Sequence, residues 1–223
     1  MTSKLLGLDI GGTKCAVVSG VSDGKGGIEI LSRIFFPTET EKGVENTFKN
    51  LYAAIDKTLE DNNWKPADVA AMGISCGGPL DTRKGIVMSP PNLPGWDNIP
   101  MVKMLEDRYG IRTRIQNDAN ACALAEWQFG AGRGFDNVVF LTFGTGMGSG
   151  LILDGRLYEG TNGNAGEVGH MRLEPDGPVG FRKAGSFEGF CSGGGLAQMG
   201  RKAAEQAFKE GRRVLFAPTP EDI

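Results

Sequence analysis

The residues of this chain best suited to chemistry lie in short glycine-containing stretches, of which the first is Asp9-Ile10-Gly11-Gly12-Thr13-Lys14. Apolar runs precede and follow it, at Leu5–Leu8 and Cys15–Val18. Glycine lets the main chain approach an anion closely, and bare N–H groups beside a carboxylate, a hydroxyl and an amine suit a nucleotide phosphate. Because a strand follows the motif, it is not a P-loop, and no G-x-x-x-x-G-K-[ST] occurs in the chain. A plain hairpin turn remains the alternative interpretation.

A second glycine-rich turn contains Gly144-Thr145-Gly146, again between two apolar runs. Its spacing does not fit G-x-G-x-x-G, and a strand rather than a helix follows, which excludes the dinucleotide-binding fingerprint. Two such turns, each near the start of one half of the chain, favour a nucleotide held between two lobes. The alternative is a pair of ordinary glycine hairpins.

Between these turns lies Gln116-Asn117-Asp118-Ala119-Asn120, where a predicted strand ends and a predicted helix begins. A carboxylate at that position suits a general base acting on a hydroxyl group, so Asp118 is the candidate. Asn and Asp are also favoured helix caps, and a plain N-cap is the competing interpretation.

Alternating helical and extended patterns must position these residues, and they predict an α/β fold. Strands are expected near 4–9, 14–20, 28–36, 68–75, 112–116, 138–143 and 150–153, and helices near 42–62, 100–109 and 117–129. A strand-turn-strand with a glycine turn occurs twice, near 5–18 and 138–153. This repetition predicts two related α/β halves, 1–116 and 117–223.

Composition narrows the function classes. The formal net charge of −3 argues against general binding to nucleic acid or to an anionic membrane surface. The 223 residues contain no signal-peptide pattern and no apolar run of about 20 residues. The four cysteines are widely spaced without a C-x-x-C pair, which is typical of a protein of the reducing cytoplasm.

Five motifs follow one another in an order that identifies a family. They are Asp9-Ile10-Gly11-Gly12-Thr13-Lys14, Pro91-Asn92-Leu93-Pro94-Gly95-Trp96, Asn117-Asp118-Ala119-Asn120, Gly144-Thr145-Gly146 and Glu167-Val168-Gly169-His170. In order and spacing they resemble the ROK family of sugar kinases and sugar-sensing repressors, and most of all its glucokinase-type members. The resemblance implies the actin/hexokinase fold, with two ribonuclease H-like α/β lobes and a cleft between them.

The resemblance also implies roles for individual residues. ATP and Mg²⁺ would be the cofactors, with Asp9 holding the metal through the nucleotide and Asp118 acting as the base on a sugar hydroxyl. The phosphate contacts would come from Gly11, Gly12, Thr13, Lys14, Gly144, Thr145 and Gly146. The sugar contacts would come from Gly78, Asn92, Asn117, Glu167, His170 and Glu188. The implied partners are a small sugar and ATP, with a homo-oligomer as a further expectation.

One departure from the family pattern concerns zinc. Many members follow the E-x-G-H histidine with a cysteine-rich segment that, together with that histidine, binds structural zinc. Here Gly180, Arg182 and Ser186 stand at the cysteine positions. Since a tetrahedral zinc site needs about four N or S ligands, we expect no zinc. His170, the only histidine of the chain, is then either a sugar contact or a packed remnant.

A second departure concerns the end of the chain. Thr219 and Pro220 resemble the cap and first residue of a helix that does not follow. Family members are considerably longer, so we expect a fragment of a longer kinase with an incomplete second lobe. The expected activity is ATP-dependent phosphorylation of a glucose-like hexose or N-acetylhexosamine at a primary hydroxyl. The alternatives are a non-catalytic sugar-sensing module and an inactive fragment of the kinase.

Overall fold

A computed structural model describes residues 2–213 of the chain. It divides into two compact units, Met1–Asp136 and Asn137–Ile223, called here the first and the second unit. Within residues 2–213, no helix is long and apolar enough to cross a membrane. Thr219 and Pro220, where the sequence suggests a helix start, lie outside the described residues.

The first unit is built on a five-stranded sheet in the order β3-β2-β1-β4-β7. The strands are β1 (Ser3–Ile10), β2 (Lys14–Ser22), β3 (Ile28–Pro37), β4 (Val69–Cys76) and β7 (Thr113–Asn117). β1, β2 and β3 form an antiparallel meander, whereas β4 runs parallel to β1 and β7 parallel to β4. Because the carboxyl ends of β1, β4 and β7 lie at the same edge, the residues after them come together there.

Helix α1 (Val44–Asp61) covers the meander, against which it packs its apolar face. Leu51 and Ile55 on that face are completely buried, as the helical spacing of apolar residues predicts. Trp96 stacks on Phe48 with the ring centroids 5.5 Å apart, so a long loop joins the same core. The sheet therefore rests on a continuous apolar cluster that reaches from Leu6 to Ile115.

Smaller elements complete the first unit. They are β5 (Leu80–Asp81), β6 (Ile86–Val87), α2 (Met101–Tyr109), α3 (Asp118–Phe129) and two short 3₁₀ turns at Thr40–Lys42 and Pro66–Asp68. α3 begins directly where β7 ends, and it packs against β7 and β4. It therefore belongs to the first unit, although the boundary expected at 116 and 117 had assigned it to the second half.

The second unit contains a three-stranded sheet in the order β10-β9-β8. Its elements are β8 (Val138–Phe143), β9 (Met147–Leu153), β10 (Arg156–Leu157), a 3₁₀ turn at Val168–His170, β11 (Val179–Gly180), β12 (Lys183–Ala184), α4 (Phe187–Cys191) and α5 (Gly193–Lys209). The glycine turn between β8 and β9 is shorter than the sequence suggests, because Met147–Gly150 already pair with β8. The predicted strand-turn-strand is therefore present in both units.

Candidate functional site

The first glycine turn is a hairpin that joins β1 to β2. The amide of Gly11 donates to the carbonyl of Lys14 at 3.2 Å, which closes the turn. Thr38, completely buried just after β3, fixes it from behind. Its hydroxyl donates to the carbonyl of Gly11 at 2.6 Å and its amide to the carbonyl of Thr13 at 3.0 Å. With its carbonyls held on the protein side, the hairpin has the restrained geometry that anion binding by main-chain amides requires.

Gly12, at the tip of this hairpin, lies against the backbone of Asn92. A Cβ atom at Gly12 would collide with the carbonyl oxygen of Asn92, so only glycine fits without a shift of the main chain. The Asn92 side-chain amide in turn lies 3.4 Å from the position a Cβ would take on Gly77. Two distant stretches of the chain are thus in contact, Asp9–Lys14 and Pro91–Trp96, as expected if both serve one site.

Asp9 lies at the edge of the sheet where the parallel strands end. It pairs in register with Ser75 of β4, which pairs with Gln116 of β7. Partial burial raises the pKa of the Asp9 carboxyl, the negative charge of Asp118 raises it further, and a hydrogen bond from Ser75 and the charges of Lys14 and Arg33 oppose this. Ile10 pairs with Cys76, and Cys76 pairs with Asn117, so Asp9 and Asp118 lie at the same edge of the sheet, and the charge of Asp118 acts on Asp9.

This donor set fits magnesium bound to a nucleotide. Such a metal ion takes one or two carboxylates and completes its shell with phosphate oxygens and water, rather than entering a cage of protein ligands. Asp9 offers one partly buried carboxylate beside the glycine hairpin. A cation there would also relieve the unfavourable proximity of Asp9 and Asp118.

Asn117 and Asp118 have separate roles at the start of α3. Asn117 is the N-cap, and its Oδ1 accepts from the amides of Ala119 at 3.0 Å and Asn120 at 3.3 Å. Asp118 is the first helical residue, and its exposed carboxylate also accepts from the Ala119 amide at 2.8 Å. The capping that the sequence left as an alternative for this pair is therefore performed by Asn117. The Nδ2 group of Asn117 lies 3.5 Å from the position of a Cβ on Gly78.

Gln116 organises the backbone behind this pair. Its Oε1 accepts from the Asn117 amide at 2.7 Å and from Nδ2 of Asn120 at 3.3 Å. Asn120 is 3% exposed, and its Oδ1 is a buried polar atom without a hydrogen-bond partner among the described residues. The strand end and the first turn of α3 are therefore joined through one amide side chain.

Lys14 points along the sheet toward an aromatic ring. Its Nζ lies 5.5 Å from the centre of the Phe35 ring, and the guanidinium carbon of Arg33 lies 5.6 Å from the same ring. Two cations thus bracket one half-exposed phenylalanine next to the hairpin. This arrangement puts positive charge where a phosphate contact is expected.

In the second unit, Gly144, Thr145 and Gly146 form an exposed turn between β8 and β9. The turn is tied to the start of α5, because the amides of Gly193 and Gly194 donate to the carbonyls of Gly144 at 2.8 Å and Thr145 at 3.2 Å. The first amides of α5 thus hold the turn and are not available to an anion.

Glu188 is held against this turn from the other side. Its Oε2 accepts from the amide of Met147 at 3.0 Å, immediately after Gly146. Gly169 also packs closely on Glu188, because a Cβ atom on Gly169 would lie 3.3 Å from the Cβ of Glu188. The predicted phosphate turn and a predicted sugar contact are therefore neighbours in the second unit.

Glu167 and His170 lie on the 3₁₀ turn. Their side chains approach each other with Nε2 of His170 3.6 Å from Oε2 of Glu167, and both are partly exposed. The predicted sugar contacts of the second unit thus lie along Glu167–Glu188 as one local group, whereas Gly78, Asn92 and Asn117 form another group in the first unit.

The three positions at which the resemblance places cysteines have other uses here. Gly180 is buried, and a side chain there would collide with the Gly189 amide at 2.6 Å from the built Cβ. Ser186 caps α4, accepting from the Gly189 amide at 3.0 Å, and Arg182 lies in an exposed turn. Among residues 2–213, no three His, Cys, Asp or Glu side chains group as metal ligands. That the protein binds no zinc stays a prediction.

Sequence reasoning missed Thr38 and Ser75 and gave no role to Gln116, although these three residues hold the predicted site residues in place. Thr38 follows β3 by one residue and Ser75 lies inside an otherwise apolar strand, so neither forms a local motif. Gln116 directly precedes Asn117, and its position as a polar residue at the end of a predicted strand is the signal that could have given it a role.

The chain matches the family model described as ROK family over residues 5–214. A glucokinase from Thermotoga maritima is 40% identical over 176 residues, covering 79% of this chain and 53% of that protein. An N-acetylmannosamine kinase from Citrobacter koseri is 36% identical over 215 residues, covering 95% and 68%.

Among solved structures, a ROK family glucokinase from Streptomyces griseus in complex with glucose and AMPPNP aligns with a TM-score of 0.72 at 35% identity. The alignment covers 93% of this chain and 63% of that one. The chain thus spans about half to two thirds of the length of these relatives. The mixed α/β fold and the match over most of the chain agree with the resemblance seen in the sequence. The chain belongs to the ROK family.

Proposed function

We propose that this chain belongs to a kinase that transfers the γ-phosphate of ATP to a primary hydroxyl of a hexose or N-acetylhexosamine, with Asp118 as the general base. The observation that carries the proposal is the convergence in the first unit of Asp9, the Gly11–Gly12 hairpin, Asn92 and Asp118 at one sheet edge. The relatives named above include a glucokinase and an N-acetylmannosamine kinase, which supports a sugar as the acceptor.

The carboxylate of Asp118 is suited to guiding a proton away from a sugar hydroxyl. It is exposed, it lies at the N-terminal end of α3, and the neighbouring Asn117 performs the capping. Phosphoryl transfer depends mainly on positioning and on charge stabilisation, so the base need only accept the proton as the alkoxide forms. The Nδ2 group of Asn117 is the part of that side chain left to donate to an adjacent sugar oxygen, because its Oδ1 is engaged in the cap.

Other residues would bind the rest of the sugar and the phosphates. Glu167, His170 and Glu188 supply carboxylate and imidazole groups that read paired hydroxyls through charge-assisted hydrogen bonds. The amides of Gly12 and Thr13 and the side chain of Lys14 would hold phosphate oxygens, whereas the Gly11 amide closes the turn. Gly144, Thr145 and Gly146 would provide a second phosphate turn. Asp9 would hold Mg²⁺ through the nucleotide, where the ion would neutralise charge developing on the phosphate oxygens.

The test compares the 223-residue chain with its Asp118→Asn variant. Glucose, mannose, N-acetylglucosamine and N-acetylmannosamine are titrated by calorimetry, and transfer from ATP is followed with a coupled assay. We expect D118N to lower turnover by a factor of about 10²–10⁴ while sugar affinity stays within a few-fold of wild type. D107N is the matched control, because Asp107 is an exposed carboxylate on α2 paired with Lys103.

Turnover that survives D118N would exclude Asp118 as the base. Wild-type binding of sugar without any transfer would favour the sugar-sensing alternative for this chain. Absence of both binding and transfer would favour an inactive fragment.

A further inference from the structure

The hairpin formed by β11 and β12 contacts His170 in two places. The ring of Phe181 approaches the imidazole edge to face, with centroids 5.2 Å apart and an interplanar angle of 73°. The ammonium group of Lys183 donates to the backbone carbonyl of His170 at 2.6 Å. One contact restrains the ring and the other restrains the main chain, so the hairpin limits both ways in which His170 could reorient.

The tip of this hairpin has an unfavourable backbone conformation for its residue types. Gly180 pairs with Lys183, which leaves a two-residue loop of Phe181 and Arg182. Their φ angles are 38° and 66°, whereas the turn that joins strands in this way favours Asn and Gly at such positions. A bulky residue at positive φ is strained, and strain of this kind persists where the surroundings enforce it.

The base of the hairpin is anchored to α5. Gln198 donates from Nε2 to the carbonyl of Val179 at 2.8 Å and accepts from the Val179 amide at 2.9 Å. The Gly185 amide donates to the carbonyl of Pro178 at 3.1 Å, which closes the base of the hairpin, and the carbonyl of Gly185 accepts from the amide of Leu173 at 2.8 Å. With its base fixed at both strands, the hairpin presents a defined tip to the 3₁₀ turn that carries His170.

We propose that this hairpin positions the imidazole of His170 for sugar binding, with Phe181 and Lys183 as positioning residues. The inference rests on the proposed role of His170 as a sugar contact. Phe181 is 61% exposed, so burial of its ring does not account for a phenylalanine at a strained position. The contact of Phe181 with His170 accounts for it, because the phenyl ring packs against the imidazole while Nε2 of His170 is directed toward Glu167.

The test exploits the fact that the chain has a single histidine. The imidazole of His170 therefore gives one set of ¹H–¹³C signals, which can be followed without sugar in wild type, F181N, R182G, K183M and the control K202M. Lys202 is an exposed lysine on α5. Sugar affinity is measured by calorimetry and the melting temperature by circular dichroism.

We expect F181N and R182G both to raise the melting temperature by about 1–3 °C, because Asn and Gly relieve the strained turn. Only F181N and K183M should shift the His170 signals and weaken sugar binding, by about 3–10-fold, as expected for loss of one such contact. R182G and K202M should leave the His170 signals and the sugar affinity unchanged. If F181N is more stable than the wild type yet binds sugar less well, then loss of stability does not explain the weaker binding, and a merely structural role of Phe181 is excluded.

Unchanged His170 signals in both F181N and K183M would overturn the positioning role. So would unchanged sugar affinity in both variants when the wild type binds sugar. A wild-type chain that binds no sugar would instead contradict the proposed function, and the imidazole signals, recorded without sugar, would still decide whether the hairpin orients His170.

Discussion

The two units support their candidate site residues by different physical means. In the first unit, Asp9, Asn117 and Asp118 stand at or directly beyond the ends of sheet strands, and those strands are anchored in a continuous apolar core. In the second unit, Gly144–Gly146 and Glu167–His170 lie in turns held by main-chain hydrogen bonds and by Glu188. Its strand β8 has three half-exposed apolar side chains, Val139, Leu141 and Phe143.

This difference separates two kinds of precision. The positions of strand ends are fixed by the packed sheet, so the geometry of residues there is lost only when the core is disrupted. Turns held by individual hydrogen bonds are each sensitive to a single substitution. We therefore expect core mutations to matter most in the first unit and single polar contacts to matter locally in both.

The largest effect is expected for Leu51→Ala in the first unit. Leu51 is completely buried on α1, and truncation of such a side chain costs about 2–5 kcal/mol in the free energy of unfolding. Urea unfolding followed by tryptophan fluorescence measures it, since Trp64, Trp96 and Trp127 all lie in the first unit. Leu31→Ala is the control, because Leu31 on β3 is 44% exposed and should cost less than about 1 kcal/mol. Equal losses in the two variants would contradict the assignment of the core.

An intermediate effect is expected for Thr38→Val, which deletes the hydroxyl that holds the Gly11 carbonyl. That carbonyl then retains only a weak contact from the Cys15 thiol at 3.9 Å. We therefore expect the free energy of unfolding to fall by about 1–3 kcal/mol. Hydrogen exchange in peptides covering residues 9–16 should accelerate about tenfold or more.

Ser149→Ala is the matched substitution in the second unit, where Ser149 donates to the Gly166 carbonyl at 2.6 Å. This carbonyl also accepts from the Val168 amide at 2.7 Å and stays partnered after the change. The expected acceleration of exchange near Gly166 is therefore smaller than that caused by T38V near Gly11. A larger effect of S149A would reverse the comparison.

The smallest effect is expected for Asp9→Asn, and it depends on pH. Burial and the charge of Asp118 raise the pKa of Asp9 in the folded chain, so the wild type gains stability as the pH falls through that pKa and lacks this gain at neutral pH. D9N is uncharged throughout. Its melting temperature should exceed that of the wild type at pH 7, and the difference should shrink toward pH 4.

A second background separates the two causes. In D118N, the repulsion between the two carboxylates is absent, so introducing D9N should raise the melting temperature at pH 7 by less than it does in the wild type. A lower melting temperature of D9N at pH 7 in the wild-type background would show that the Ser75 hydrogen bond and the nearby cations outweigh burial and repulsion.

Much of the fold was predictable because its periodicities are clear. The alternation of Leu6, Leu8 and Ile10 and the helical spacing of Phe48, Leu51 and Ile55 give β1 and α1 within two residues of the observed limits. The convergence of the glycine hairpin with Asn117 and Asp118 depends on β1, β4 and β7 running parallel and ending at one edge. The sequence patterns did not specify this arrangement.

The remaining features depend on contacts distant in sequence. Thr38 reaches back 27 residues to Gly11, and Gly12 meets the backbone of Asn92 through tertiary packing alone. The sequence pattern also does not show that α3 packs on β7 and β4, the contacts that place this helix in the first unit. The strained turn at Phe181 and Arg182 was invisible because its residue types predict no such turn.

Asn117 shows how folding and chemistry can constrain one position at once. Its oxygen secures the first turn of α3, and its Nδ2 group is left for a ligand. A lineage that no longer used the ligand would still be confined to Asn, Asp, Ser or Thr at this position by helix stability. Invariance at residue 117 would therefore record helix capping as readily as sugar recognition. Asp118 shares only the Ala119 amide that Asn117 already holds, so helix stability would constrain it less once its chemistry was no longer selected.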